Sequence, residues 1–151
     1  MTPSGALERI VAALAIASDE RPPLALGWAT VELDRAAAEL AAELGTVPGA
    51  FLPASDSVVL GARCRVAYGV LPGGRPLAIL EPRTEGRLAA ALARQGEGPW
   101  VTWARSAVKI GRGPSRSRRP GPFGPEHMYP GTPTDGPFLL LIGDGPGTIH
   151  A

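Results

Sequence analysis

The residues best suited to acid–base chemistry lie together in a loop near the C-terminus. The stretch GPFGPEHMYPG places Glu126 beside His127, among Phe123, Met128 and Tyr129. Such a set could cover a pocket and supply an acid or base near neutral pH. We therefore take His127 and Glu126 as candidate catalytic residues. The alternative is a surface loop that packs its own aromatic side chains.

Other reactive or charged side chains point less clearly to chemistry. Cys64 is the single cysteine, which excludes an internal disulfide and a cysteine-based zinc cluster. It has no nearby histidine in sequence, so we do not expect a nucleophile. Arg63 and Arg65 share one strand face, where they could hold an anionic ligand, although a solvated sheet edge is the favoured interpretation.

Length and charge exclude several classes of protein. A chain of 151 residues suits one domain, and 15 Lys and Arg against 14 Asp and Glu leave it nearly neutral. Four arginines in the later loop could touch nucleic acid, but no recognition helix or aromatic-basic motif accompanies them: Arg112, Arg116, Arg118 and Arg119. No apolar run approaches the ~20 residues that span a bilayer. We expect a cytoplasmic protein with no nucleic-acid or membrane partner.

The elements that must position these residues follow from the apolar pattern. LALGWATVEL reads as a buried strand, and Asp34 is a plausible N-cap for a short amphipathic helix that ends at Gly45. The PGG signal at 72–74 joins SVVLGARCRVAYGVL to RPLAILEP as an antiparallel hairpin. Thr84 can cap a second helix that ends at Gly96. Residues 6–17 are compatible with either a helix or a strand.

The C-terminal part is less regular. PWVTWA and PFLLLIGD read as strands, and the Pro, Gly and Arg-rich segment 109–137 between them reads as a loop. The order of elements predicts an α+β protein with a mostly antiparallel or mixed sheet.

The stretch GARCRVAYGVLPGGRPLAILEPRTEGRLAAALARQGEGPWVTWA resembles the middle of vicinal oxygen chelate proteins. This superfamily includes glyoxalase, bleomycin-resistance proteins and methylmalonyl-CoA epimerase. LGWATVELDRAAAELAAELG is similar to its first strand and helix. The resemblance implies one glyoxalase-like domain of βαβββ modules curled around a cavity, with a first module at 24–98 and a degenerate second module at 99–151. It also implies a homodimer.

The resemblance further implies where a divalent metal would bind. In metal-dependent members four strand side chains, usually His, Glu or Gln, hold the ion. The corresponding positions here are Leu26, Ala78, Val101 and Leu140, and the residues beside them are equally unable to bind a metal. We therefore predict a metal-independent protein without a cofactor.

An apolar pocket is predicted in place of the metal site. Residues two positions along a strand share a direction, so Trp28, Leu80, Trp103 and Phe138 are expected to face the same cavity as the four aligned positions. A collapsed core filled by these side chains is the alternative. Because strand side chains alternate, Glu81, three residues after Ala78, is expected to face away from the cavity and to form a cap or a salt bridge. Glu97 is expected to accept hydrogen bonds from backbone N–H groups in a turn.

Three functions are compatible with the sequence. The first is binding of a hydrophobic or aromatic small molecule, such as a natural product, for sequestration, resistance or transport. The second is a metal-free isomerase, cyclase or lyase that uses His127 or Glu126. The third is a protein–protein interaction module.

Overall fold

The structure, a computed structural model, describes residues 4–16, 23–105, 118–130, 132–134 and 136–143. Three helices are present in these ranges: α1 (Ser4–Ile16), α2 (Leu33–Leu44) and α3 (Arg87–Gln95). The strands are β1 (Pro23–Ala29), β2 (Leu52–Ser57), β3 (Ala62–Ala67), β4 (Leu77–Pro82), β5 (Gly98–Arg105), β6 (Glu126–Met128) and β7 (Phe138–Ile142).

The strands form one mixed sheet that curls into a half-barrel, in the order β2-β3-β4-β1-β5-β7-β6. β1 runs parallel to β4 and β5 runs parallel to β7, while β1 and β5 pair antiparallel at the centre. The two halves therefore repeat one pairing pattern on either side of the β1–β5 pair. This architecture confirms the predicted α+β class.

The sheet carries a separate apolar core on each face. The inner face is defined here as the face that carries Ala78, Val101, Trp103 and Leu140, and α3 packs against it through Leu88 and its neighbours. The opposite face, called the helix face, packs against α1 and α2. Because strand side chains alternate, neighbouring residues of the central strands serve different cores.

Helix boundaries differ from the predicted ones. α2 begins at Leu33, so Asp34 lies in its first turn and Glu32 occupies the N-cap without a side-chain bond. α3 begins at Arg87 after Gly86, so Thr84 is not its cap. The first helical segment, left open between helix and strand, is α1. A carboxylate from elsewhere in the sheet caps α2 instead, as described below.

Two strands were not predicted. β2 has the sequence LPASDS and is an edge strand whose residues are mostly exposed or half-buried. Its sequence therefore lacks the alternation of apolar and polar residues that indicates a strand. β6 is three residues long and lies inside the segment predicted to be a loop. The predicted turn at 72–74 is present as a short 3-10 turn between the antiparallel β3 and β4.

Within the described residues, no helix combines the length and the apolar character required to cross a membrane.

Candidate functional site

The inner face is closed by its own side chains. Six of the predicted pocket residues lie on this face and none is more than 1% exposed: Ala78, Leu80, Val101, Trp103, Phe138 and Leu140. The Trp103 ring lies directly over the backbone of Gly27, where a Cβ atom would come within 2.8 Å of it. The collapsed-core alternative therefore describes the packing around Trp103.

The prediction that Leu26 and Trp28 face the same cavity as Trp103 is wrong. Both belong to the helix-face core, because β1 presents Ala25, Gly27 and Ala29 to the inner face. Every residue of β1 except Leu24 is buried, so hydrophobicity alone does not reveal which residues face which side. Trp28 instead packs beside Arg9 of α1, whose guanidinium lies 5.3 Å from its ring centroid.

The inner face does not fit the divalent metal that the sequence resemblance implies. The residues of β1 that share this face with Ala78, Val101 and Leu140 are Ala25, Gly27 and Ala29, which also offer no metal-binding side chain. Alkyl groups offer no lone pairs to a metal ion. In the described part of the chain, no three His, Cys, Asp or Glu side chains lie close enough together to hold a metal.

The polar group at the centre of the inner face is Glu126, which is fully buried. Its Oε1 accepts a hydrogen bond of 2.8 Å from the indole Nε1–H of Trp103. The hydroxyl of Ser57 donates to Oε2 at 2.7 Å, and Ser57 Oγ in turn accepts the Leu60 N–H. Three strands, β2, β5 and β6, therefore meet at one carboxyl group.

Burial changes the acidity of this carboxyl group. Loss of solvent raises the pKa of Glu126 to about 7, and the hydrogen bonds from Trp103 and Ser57 oppose this rise. A carboxyl with a pKa near neutrality can act as an acid or a base at physiological pH. The arrangement has the donors needed to hold the ionised form and the apolar surroundings that favour the protonated form.

Residues 118–125, called the cover, close the inner face above Glu126. The cover turns back on β6 through a pair of backbone hydrogen bonds between Arg119 and Glu126. Its Phe123 ring meets Trp103 edge-on at 4.8 Å between centroids, and the Pro120 carbonyl accepts the Val58 N–H. Gly121 lies so close to the Glu126 carboxylate that any side chain there would clash with it.

A cleft of about 370 Å³ lies outside the cover. It is lined by Ser55 of β2 and by cover residues Arg118, Arg119, Pro120, Gly121, Gly124 and Pro125. Gly121 is shared between this cleft and the buried carboxylate, so one glycine separates the Glu126 group from the cleft.

His127 does not join Glu126 in a catalytic pair. It follows Glu126 along β6 and pairs with Leu141, so its side chain faces the other side of the sheet. Partial burial, together with the positive charge of Arg118, lowers the pKa of His127 and favours the neutral imidazole. The two candidate residues are neighbours in sequence and have separate surroundings.

Two other acidic residues have structural contacts of the predicted kinds. Glu81 Oε1 accepts the Leu33 N–H at 3.1 Å, which caps α2, and forms an ion pair with Arg63 at 2.9 Å. Glu97 accepts the N–H of Val31 and pairs with Arg35 at 2.8 Å, and these contacts lower the pKa of Glu97 against the opposing effect of burial.

The remaining candidates on β3 do not line the cleft. Arg65 pairs with Asp34 of α2 at 2.9 Å, and Arg63 is held by Glu81. Cys64 is buried on the inner face, and loss of solvent raises the pKa of its thiol to about 12. A thiol of this kind is not a nucleophile near neutral pH.

Sequence reasoning missed Ser57 and Gly121. Ser57 lies 69 residues before Glu126, and no local pattern links the two. Gly121 stands in a stretch rich in glycine and proline, where one glycine does not stand out as the residue that contacts the carboxylate.

Comparison with solved structures identifies the fold. The chain superposes on methylmalonyl-CoA epimerase from Mycobacterium tuberculosis with a TM-score of 0.62 at 19% identity, covering 86% of this chain and 93% of that one. A Streptomyces coelicolor methylmalonyl-CoA epimerase variant in complex with 2-nitronate-propionyl-CoA gives a TM-score of 0.60 at 21% identity, covering 82% and 96%. No protein-family model and no curated protein sequence matches the chain.

These epimerases are members of the vicinal oxygen chelate superfamily. The resemblance predicted from the sequence is therefore confirmed at the level of the fold, which is a curled half-barrel of mixed strands. Sequence identities of 19% and 21% establish a shared fold and no more. The chemistry of this chain is therefore inferred from its own residues.

Proposed function

We propose that the protein binds a small molecule in the cleft over Gly121 and that it does so without a metal ion. The observation that carries this proposal is the position of Glu126, buried directly behind the glycine that lines the cleft. Small-molecule sites are usually concave with a small number of polar groups, and this cleft offers Ser55, Arg118 and Arg119 as its polar residues. The alkyl side chains at the aligned metal positions support the absence of a metal ion.

The cost of burying Glu126 supports a functional role for it. A carboxyl group removed from water destabilises a fold unless it is hydrogen-bonded, and an apolar residue of similar volume would pack the same space. This chain keeps the carboxyl and supplies two donors for it, Trp103 and Ser57. Perturbed titratable groups beside a cleft are typical of functional sites.

The proposed ligand is the hydrophobic or aromatic small molecule expected from the sequence, with sequestration or transport as the role. The proline and glycine residues of the cover offer flat, sparsely functionalised surface to such a compound. The apolar residues of the inner face would contact the ligand only if the cover moved, because Trp103 and Phe138 are buried beneath it.

A cleft-filling substitution tests this proposal. Ser55→Phe places a large ring at the mouth of the cleft, and Leu52→Phe places the same ring on the same strand at an exposed position outside it. Native mass spectrometry of the parent protein with extracts of the producing organism should capture a compound. We expect Ser55→Phe to lose the compound and Leu52→Phe to keep it. Equal capture by both variants would contradict the cleft as the site.

A metal-free isomerase, cyclase or lyase is a second candidate function, because burial raises the pKa of Glu126 to about 7. Glu126 would transfer a proton to or from the ligand, and the Trp103 and Ser57 donors would stabilise the carboxylate. Gly121 shields the carboxyl from the cleft, so proton transfer would also require a displacement of the cover.

Deuterium exchange separates the two candidates. If Glu126 transfers protons, the captured compound should gain solvent deuterium with the parent protein and with the exposed-site control Glu85→Gln. Glu126→Gln should bind the compound without exchange. Binding by the parent with no deuterium incorporation would contradict the enzyme and leave sequestration or transport.

The predicted homodimer remains a proposal. Among the described strands, β2 lies at one edge of the sheet and exposes Leu52 at 52%, and an edge strand of this kind can associate with a second copy. Light scattering at micromolar concentration should give twice the monomer mass, and a monomer under these conditions would contradict it.

A further inference from the structure

Two arginines line the cleft without a carboxylate partner among the described residues. Four other arginines each lie within 4.0 Å of an acidic side chain: Arg35, Arg63, Arg65 and Arg83. Arg118 and Arg119 have no such partner in the parts of the chain that the structure describes. No carboxylate among the described residues therefore neutralises the charges of these two lining residues.

One hydrogen-bond donor of the Arg118 side chain also lacks an acceptor among the described residues. Its Nε is buried and has no hydrogen-bond acceptor within the described ranges. Arg118 lies beside Gly143 at the end of β7, and its charge reaches His127, whose neutral form it favours. A guanidinium without a carboxylate partner attracts an anion more strongly than a paired one does.

None of the described residues that line the cleft is acidic. The Glu126 carboxyl group lies behind Gly121, where burial raises its pKa and favours its neutral form. A negatively charged group in the cleft would therefore lie beside two arginine residues and Ser55, and no carboxylate among the described lining residues would oppose it.

We infer that the ligand of the cleft carries an anionic group, a carboxylate or a phosphate, which binds between Arg118 and Arg119. The inference rests on the proposed function, because it assigns a chemical class to the ligand of that same site. The anionic group lies at the arginine end of the cleft, and the rest of the ligand extends along the cover toward Gly121.

Titrations monitored by backbone-amide NMR test this inference with four probes: benzoate, phenyl phosphate, benzyl alcohol and inorganic phosphate. The two aromatic anions should shift the amide signals of Gly121 and Gly124 in a saturable way. Benzyl alcohol has a similar ring without the charge, and it should bind at least about tenfold more weakly. Inorganic phosphate should compete with the aromatic anions, because it occupies the same guanidinium groups.

Substitutions assign the effect to the cleft. Arg118→Gln and Arg119→Gln should each weaken phenyl phosphate binding about tenfold or more, whereas Arg87→Gln removes the same charge from an exposed position outside the cleft and should leave binding unchanged. The same spectra report whether each variant is folded.

The outcomes separate the inference from the proposed function. Equal affinity for benzyl alcohol and the two aromatic anions would overturn the anionic class and leave small-molecule binding in place. Equal weakening by Arg87→Gln would overturn the assignment to Arg118 and Arg119. An absence of shifts with every anion would also overturn the inference.

Discussion

Ionisation of Glu126 should destabilise the fold as the pH rises toward neutrality. Burial raises the pKa of this carboxyl from 4.5 to about 7, so the folded chain retains a proton that the unfolded chain releases. The free energy of unfolding should therefore decrease as the pH rises from about 4.5 to 7 and then level off. A pKa difference of this size corresponds to about 3 kcal/mol.

Glu126→Gln isolates this contribution because glutamine has the same shape and does not titrate. Its carbonyl can accept the Trp103 indole N–H and its amide can donate to Ser57 Oγ. Glu97 and His127 also have shifted pKa values, but both remain in the variant and their effects cancel in the comparison. Relative to the parent, the variant should gain about 3 kcal/mol of stability between pH 4 and pH 8.

Urea denaturation at intervals between pH 4 and pH 8 measures this difference. Glu85→Gln provides the matched control, since it alters an exposed side chain, and its stability should follow that of the parent at every pH. If the difference in the free energy of unfolding between Glu126→Gln and the parent stays constant from pH 4 to pH 8, the Glu126 carboxyl is not held protonated by burial.

Gly27→Ala should destabilise the protein by about 1–3 kcal/mol in denaturant melts, because its Cβ would lie 2.8 Å from the Trp103 ring; an unchanged stability would show that the ring is not packed there. Glu81→Ala should cost about 1 kcal/mol through loss of the α2 cap at Leu33, against little change for an exposed control. Cys64 should react with thiol reagents at pH 8 far more slowly than after unfolding, since burial raises its pKa to about 12; equal rates would contradict its burial. Elemental analysis of the purified protein should find no stoichiometric divalent metal, whereas about one ion per chain would contradict the alkyl inner face.

The central elements could be predicted from the sequence because their signals are local. The β3–β4 hairpin follows from the turn at 72–74, and α2 follows from apolar residues at helical spacing that end at Gly45. The edge strand β2 could not be found in this way. Its sequence, LPASDS, has too few apolar residues to show the alternation of apolar and polar positions that indicates a strand. Its identity as a strand depends on pairing with β3.

The candidate site was harder to predict because its contacts join distant parts of the chain. Glu126 was singled out for its residue type, but its burial depends on Ser57, 69 residues away, and on Trp103, 23 residues away. The direction in which the β1 side chains face could not be predicted for a different reason. Almost every residue of that strand is buried, so alternation could not distinguish Trp28 from Ala25.

The most direct test of ligand binding in the cleft is a crystal structure of the parent protein with the compound captured from extracts. We expect electron density for the compound in the cleft, in contact with Ser55 and Gly121, with its anionic group between Arg118 and Arg119 and no metal ion bound to it. A compound located away from the cleft, or one bound to the protein through a metal ion, would contradict metal-independent binding in the cleft.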